Sequence, residues 1–472
     1  MVQARFRIRT CHAMILLLSI LMIQPLIGCD RTSYAPATSS TAGATGIAPL
    51  PILTYSGSSL VGATGSSTAI TKDFFGLTIR YLVTPYNAKG SLLTPFPSNP
   101  LGIMRLWDVF NWAMLQPSKT AYAWTNMDQV VSIAQANGVS NFIFTFGVSP
   151  VWASTDPSAT CSEGQGTCAP PDMGAFDAFA TTLVQRYCGV IRNYETWNEP
   201  NSPLWWNGTN DQLLTIAQHL NTIAKDPNNC GCTDGSCSPG GGVNPNQVLL
   251  PSIVSPGNAT VLNWLDDYLA TAGNTYPYAD IASFHGYQYN NDPEGIVGGI
   301  NSFKQILAKH GLANLPLWIT EADWGESSSS AQSFEASWLM RYHLAAASAG
   351  ITRFVWYAYD SCAYGTLYGP ICEGVTDKTT GIRPSGQAYA EIQKWLIGST
   401  LQQCSQYQNG LWICQLEQQN GTNRWVVWTS NNTDVTIPIS HQLGLTKSID
   451  WEDNQFALGS AVTANTMPML LE

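Results

Sequence analysis

Two glutamates close apolar, strand-like runs in this 472-residue chain: Glu199 in Tyr194-Glu195-Thr196-Trp197-Asn198-Glu199-Pro200 and Glu321 in Leu317-Trp318-Ile319-Thr320-Glu321-Ala322-Asp323-Trp324. Carboxyl groups serve as acids, bases and nucleophiles. Two of them facing one small gap can divide the cleavage of a glycosidic bond, one protonating the leaving oxygen while the other attacks the sugar carbon or activates water. Such chemistry requires rigid elements that bring both groups to a common mouth.

From about residue 70, short apolar runs alternate with longer helical segments, the pattern of βα units around a parallel sheet. Eight strands are predicted: Phe75 to Ile79, Gly102 to Trp107, Asn141 to Phe146, Ile191 to Trp197, Gln247 to Ile253, Ile281 to His285, Leu317 to Thr320 and Arg353 to Tyr357. Helices are expected over 126–137, 176–187, 211–225, 259–272, 298–310 and 333–349. The prediction is an α/β fold, a (β/α)8 TIM barrel over residues 70–397, larger through loop insertions than the roughly 250 residues such barrels usually take. Glu199 and Glu321 then end strands four and seven, and barrel sites lie at the carboxyl ends of strands. Beyond residue 398 the helical period stops. Runs such as Leu411 to Gln415 and Arg424 to Thr429, broken by Asn409-Gly410 and Asn431-Asn432, predict a small antiparallel β-sandwich over 398–472.

Asn198-Glu199-Pro200 after strand four, with a glutamate closing strand seven, resembles the clan A glycoside hydrolases, and the resemblance spans the barrel. Arg105 stands where the clan carries a strand-two arginine, which would hold the nucleophile ionised. His285-Gly286-Tyr287 resembles the strand-six His-x-Tyr pair, and Trp356 stands where strand eight offers an indole floor to the sugar. The resemblance implies Glu199 as general acid and base, Glu321 as nucleophile and Asn198 as the partner of the sugar 2-hydroxyl, in a retaining mechanism through a covalent glycosyl-enzyme. Thr145 to Ser154 looks like the strand-three segment of glycoside hydrolase family 39, with families 5 and 30 as alternatives. Of the tryptophans near strand ends, Trp205, Trp206 and Trp324 are expected to bind substrate, the first two at a neighbouring subsite. Glu195 is expected behind the catalytic pair, and Asp323 in a loop.

Charged residues make up 11% of the chain, as do aromatics, and the net charge is −11. That balance disfavours nucleic acid and anionic membrane surfaces and suits a neutral carbohydrate. Arg5, Arg7 and Arg9 precede the apolar run Met14 to Ile23, too short for a spanning helix, so residues 1–29 read as an export signal. Leu26-Ile27-Gly28-Cys29 resembles the bacterial lipobox, which implies lipidation of Cys29 and membrane attachment by that anchor alone, on the periplasmic or cell-surface side. A secreted chain is the alternative, with Cys29 a buried or disulfide cysteine after an ordinary signal. Residues 30–69, rich in Ser, Thr, Ala, Gly and Pro, read as a tether, of which the part around Pro51 to Tyr55 could instead add a strand to the C-terminal domain.

Setting aside Cys11 and Cys29 leaves ten of twelve cysteines, an even number that fits an oxidising compartment. Cys161 with Cys168, Cys362 with Cys372 and Cys404 with Cys414 are the expected local pairs, while Cys188, Cys230, Cys232 and Cys237 stay unassigned. The Gly-, Ser- and Pro-rich setting of an exported chain favours disulfides over a zinc site there. No metal or cofactor is expected. A retaining glycosidase on a neutral, β-linked glycan is the leading reading; a non-catalytic glycan-binding lipoprotein on the same barrel and a transglycosylase are the alternatives.

Overall fold

The computed structural model describes residues 59–64, 68–83, 93–230, 246–273, 276–288, 292–324, 332–361, 366–369 and 381–472. After β1 (Ser59–Thr64) come the barrel strands β2 (Phe75–Leu77), β3 (Ile103–Arg105), β4 (Asn141–Thr145), β5 (Asn193–Glu195), β6 (Gln247–Leu249) with its continuation β7 (Ile253–Val254), β8 (Ala282–His285), β9 (Leu317–Glu321) and β10 (Ile351–Trp356). Neighbouring strands pair in parallel, in the order β6-β5-β4-β3-β2-β10-β9-β8-β7. Bridges from Leu249 to Ile281 and from Asn198 to Ser252 join the two halves of strand five to both neighbours, which closes the ring. All eight predicted strands lie where expected. A TIM barrel is the architecture.

The short α1 (Trp112–Leu115) is followed by α2 (Thr125–Ala136), α3 (Met173–Arg186), α4 (Asn210–Lys225), α5 (Ala259–Thr271), α6 (Ile296–Lys309), α7 (Gln332–Ser348) and α8 (Pro384–Leu396). Local sequence explains their starts. Thr209 and Gln212 exchange side-chain and backbone bonds in a capping box ahead of α4, and Leu213, Ile216, Leu220 and Ile223 then fall on one buried stripe. Pro384 opens α8, where a missing N–H leaves nothing unsatisfied. That helix was not among the six expected.

Inside the barrel, Ile103, Ile143, Leu249, Ile281, Trp318 and Val355 form their own buried cluster, separate from the core between sheet and helices. Two residues further along their strands, Arg105 and Thr145 point the same way, because strand side chains alternate with period two. Strand seven breaks that rule. Phe284 pairs with Ile319 but His285 pairs with Glu321, so Thr320 is an extra residue. This bulge turns Glu321 to the same side as Trp318, three positions earlier.

Two short strands, β11 (Tyr368–Gly369) and β12 (Gly381–Ile382), precede α8. The C-terminal strands are β13 (Ser399–Tyr407), β14 (Leu411–Gln418), β15 (Asn423–Thr429), β16 (Val435–Pro438), β17 (Lys447–Ile449), β18 (Gln455–Ala457), β19 (Ala461–Ala464) and β20 (Met469–Leu471). Alternation splits their side chains. Leu411, Ile413, Trp425 and Val427 pack with Val435, Ile437 and Val462 of the β16–β19 pair, forming a sandwich core. Trp412, Cys414, Val426 and Trp428 face the other way and join the barrel's main core. Gly410, with φ +81°, makes the β13–β14 turn at the predicted Asn-Gly.

β1 pairs antiparallel with β13, so Ser59–Thr64, inside the segment read as tether, belongs to the C-terminal sheet. The strand foreseen around 51–55 lies outside the described residues. The sandwich also holds the segment that follows strand six. Trp428 Nε1 donates to Glu294 at 2.6 Å, and Arg341 of α7 donates to both Glu294 oxygens at 2.7 and 2.6 Å. The adjacent Tyr342 donates to the Gly286 carbonyl, so α7 holds both ends of the loop that follows strand six. Cys161–Cys168 and Cys404–Cys414 are bonded as expected, and Cys188 pairs with Cys230. Cys362, Cys372, Cys232 and Cys237 lie outside the described residues. Among the described residues no helix is long and apolar enough to cross a membrane.

Candidate active site

Arg105 is the buried centre of the site. Its Nε and Nη2 donate to Glu195 Oε2 at 2.9 and 2.6 Å, Nη2 also donates to Asn198 Oδ1 at 2.9 Å, and Nη1 donates to Glu321 Oε1. Thr145 Oγ1 adds a bond to Glu195 Oε2 at 2.7 Å. One planar guanidinium thus ties strands two, four and seven into a fixed geometry that a lysine could not reproduce.

Glu199 is held by its backbone. Its N–H reaches the Ser252 carbonyl at 2.9 Å on strand five, and the N–H of Asn198 reaches Phe146 at 3.1 Å on strand three. The clamp holds Glu199 at φ +46°, a left-handed conformation that non-glycine residues rarely adopt. Its side chain meets strand six. His285 Nδ1 lies 2.7 Å from Glu199 Oε1 and 3.2 Å from Glu321 Oε2, so one imidazole nitrogen sits between the two carboxylates. Tyr287 donates to Glu321 Oε2 at 2.9 Å. Facing atoms of Glu199, His285 and Glu321 all lie within 4.8 Å of one another. Such a trio could hold a cation, but Arg105 and Tyr287 already bond both Glu321 oxygens, and a metal would face the guanidinium charge. The donor set suits a shared proton better.

The structure therefore brings Glu199, Glu321, Arg105, Asn198, His285 and Tyr287 together. Three tryptophans go elsewhere. Trp356 is fully buried on the helix side, packed on Trp338 and His343 of α7, and its strand neighbour Tyr357 takes the inward position beside Tyr287. Trp324 packs on Trp338 and Trp356, and Trp206 packs edge-on against Trp197, so both are core residues and not sugar platforms. Trp205 stays half-buried beside Trp107, with ring centroids 5.7 Å apart, on the loop that carries Glu199. Asp323 lies in the loop after strand seven, as expected, and is fully buried there. Tyr357 and Asp108, whose carboxylate accepts the Tyr357 hydroxyl, escaped the sequence reading.

Residues 243–389, which carry strands five to eight with His285, Tyr287 and Glu321, match the family described as glycosyl hydrolase catalytic core. With that match, the barrel reads as that of an O-glycosyl hydrolase. The same fold is seen in a family 39 glycoside hydrolase from the gut symbiont Bacteroides cellulosilyticus WH2, with 16% identity, TM-score 0.63, and 85% of this chain and 81% of that one covered. A family 39 enzyme from Xanthomonas axonopodis pv. citri (15% identity, TM-score 0.56, 86% and 95% covered) and a family 39 β-xylosidase from Caulobacter crescentus (14%, 0.54, 87% and 97%) are also similar. At these identities the likeness is one of fold. No curated protein matches the chain in sequence.

Electrostatics within this hydrolase core follow from burial opposed by charge. Burial lifts the Glu321 carboxyl above its usual range and the charge of Glu199 adds to it, outweighing the opposing pull of His285 and Arg105. The sequence reading expected Arg105 to hold Glu321 low. Arg105 has two carboxylates to serve, and the fully buried Glu195 takes the larger share of its charge. Burial would lift Glu195 as well, but Arg105 and then His285 hold it below the ordinary range. Burial would discharge His285, yet the carboxylates of Glu321 and Glu199 raise its affinity for protons.

Tyr287→Phe tests the weakest link in this set. Removing a donor to the charged form of Glu321 raises that carboxyl further, so the acidic limb of kcat/KM moves to higher pH. We expect kcat/KM at the optimum to fall about 10-fold, the equivalent of one neutral-to-charged hydrogen bond. An unshifted limb in a pH–rate profile would show that the bond does not act on Glu321.

Proposed function

We propose that the chain is a retaining glycosidase that hydrolyses a neutral, β-linked glycan through a covalent glycosyl-enzyme. The observation that carries this reading is the placement of Glu199 and Glu321 on either side of His285 Nδ1, at 2.7 and 3.2 Å, with facing atoms within 4.8 Å. Retaining enzymes keep their carboxyl groups about 5–5.5 Å apart, whereas inverting ones need about 6.5–9.5 Å to admit water. Glu199 gives its proton to the glycosidic oxygen while Glu321 bonds to the anomeric carbon and the leaving alcohol departs. Water then attacks that carbon, Glu199 takes back a proton, and the bond to Glu321 breaks. Asn198, its Oδ1 fixed by Arg105, offers its amide hydrogens to the 2-hydroxyl. The β-xylosidase name of the Caulobacter structure supports a β-linked, uncharged substrate.

Proton NMR of the first sugar released from an aryl β-glycoside tests the mechanism. The β-anomer is expected to appear first and mutarotate later; an initial α-anomer would overturn retention.

Export and lipid anchoring through Cys29 complete the proposal, supported by the basic start, the apolar run and the lipobox-like Leu26 to Cys29. Expressed in a bacterium, the wild type should sediment with membranes and Cys29→Ser should not. Equal distribution of the two would remove the anchor.

A further inference from the structure

At the ends of strands one and two, beside the catalytic mouth, lies a cavity of about 340 Å³ whose lining includes Arg80, Tyr81, Asp108, Phe110, Met114 and Ala123. Its mixture of apolar wall and a few polar groups, at this volume, is that of a small-ligand site. Two features tie it to the reacting centre. Asp108 Oδ2 accepts the Tyr357 hydroxyl, and the Tyr357 ring lies 6.5 Å from that of Tyr287, which bonds Glu321. Asp108 is also held at φ +70°, a left-handed backbone kept by a non-glycine residue next to the catalytic pair.

Arg80 Nε stands 3.6 Å from Asp108 Oδ2, and the two side chains keep 29% and 17% exposure, so a ligand can reach both. A guanidinium beside a carboxylate matches two neighbouring hydroxyls, one accepting from Arg80 and one donating to Asp108. An acidic sugar fits less well. Arg80 is already matched by Asp108, and Glu163, an exposed carboxylate on the loop closed by Cys161–Cys168, lies near enough to feel the charges of both.

Direction follows from the barrel. Glu199 must touch the leaving oxygen, so the leaving group lies on its side, next to Trp205. Asp108, through its bond to Tyr357, sets the cavity against the Tyr287–Tyr357 side of the sugar that Glu321 attacks. We propose that this cavity is a subsite for a second neutral sugar on the non-reducing side of the scissile bond, gripped by Asp108 and Arg80 through adjacent hydroxyls. The inference rests on the glycosidase reading and deepens it: the enzyme takes chains of at least two units before the cleaved bond.

The test compares 4-nitrophenol release from matched pairs, 4-nitrophenyl β-xyloside with β-xylobioside and β-glucoside with β-cellobioside. For the sugar that wild type accepts, kcat/KM should be about 10-fold or more higher on the disaccharide, through KM, as two well-made polar contacts permit. That ratio should collapse toward one in Asp108→Asn and in Ala123→Trp, whose indole fills the cavity from its exposed rim. Cleavage of a disaccharide alone supports the subsite as well. A wild-type ratio at or below one, or a ratio that survives Ala123→Trp, overturns the subsite and leaves the glycosidase standing. Release from none of the four by wild type overturns both.

Discussion

Glu321→Ala is expected to lower kcat/KM on every aryl glycoside by on the order of 10^5-fold, because in the proposed retaining mechanism no other group forms the covalent intermediate. Glu199→Ala should behave differently. A 2,4-dinitrophenyl glycoside has a leaving group that departs without a proton, so its first step should slow by less than about 10-fold, while a sugar leaving group should lose the full 10²–10⁴ that acid catalysis typically supplies. Small anions separate the roles further. Azide entering the space vacated by Glu321 attacks from the nucleophile's face and gives a glycosyl azide of inverted configuration. Azide replacing water in Glu199→Ala attacks the glycosyl-enzyme and gives one of retained configuration. Product NMR reads both outcomes, and identical azide configurations from the two variants would sink the assignment of roles.

The two glutamates were legible because each closes an apolar strand with a charged residue, a pattern that burial makes unfavourable without a partner. Arg105 was legible as that partner. His285 and Tyr287 were legible through their resemblance to the strand-six His-x-Tyr pair, and their spacing of two agrees with one shared face. Strand eight was harder. Phe354-Val355-Trp356-Tyr357 is apolar throughout, since the strand is buried on both faces, and a run without polar alternation gives no sign of which residues face inward. The resemblance put the indole of Trp356 in the site, whereas the cluster of Val355 with Ile103 and Trp318 fixes the parity and sends Trp356 to the helices. Asp108 was hidden for a different reason: its role depends on a hydroxyl contributed from 249 residues away. The edge strand Ser59–Thr64 was obscured by composition, because Ser, Gly and Ala are poor strand formers and only the exposed edge of β13 recruits them.

Arg105 carries the second large effect, and pH gives the sign. Replacing it with methionine leaves Glu195, which has no exposure, and Glu321, nearly as buried, without their shared cation. Breaking a buried pair by removing one partner costs about 3–5 kcal/mol. In the wild type the lowered Glu195 carboxyl contributes stability above its unfolded value, lost only as pH falls through the depressed folded value. In Arg105→Met the strongest opposition to burial is gone and only His285 and the hydroxyls of Thr320 and Thr145 still oppose it, so Glu195 is expected to rise above its unfolded value and the sign to invert: its contribution is then present at low pH and lost as pH climbs. Chemical denaturation should therefore show a deficit of about 3–5 kcal/mol near pH 7 that narrows toward pH 5. Arg105→Lys should restore part of the stability but little activity, since a single ammonium cannot orient Glu195, Asn198 and Glu321 together. A deficit for Arg105→Met that is constant from pH 5 to 8 would mean that packing, and not the buried charge, is what the arginine supplies.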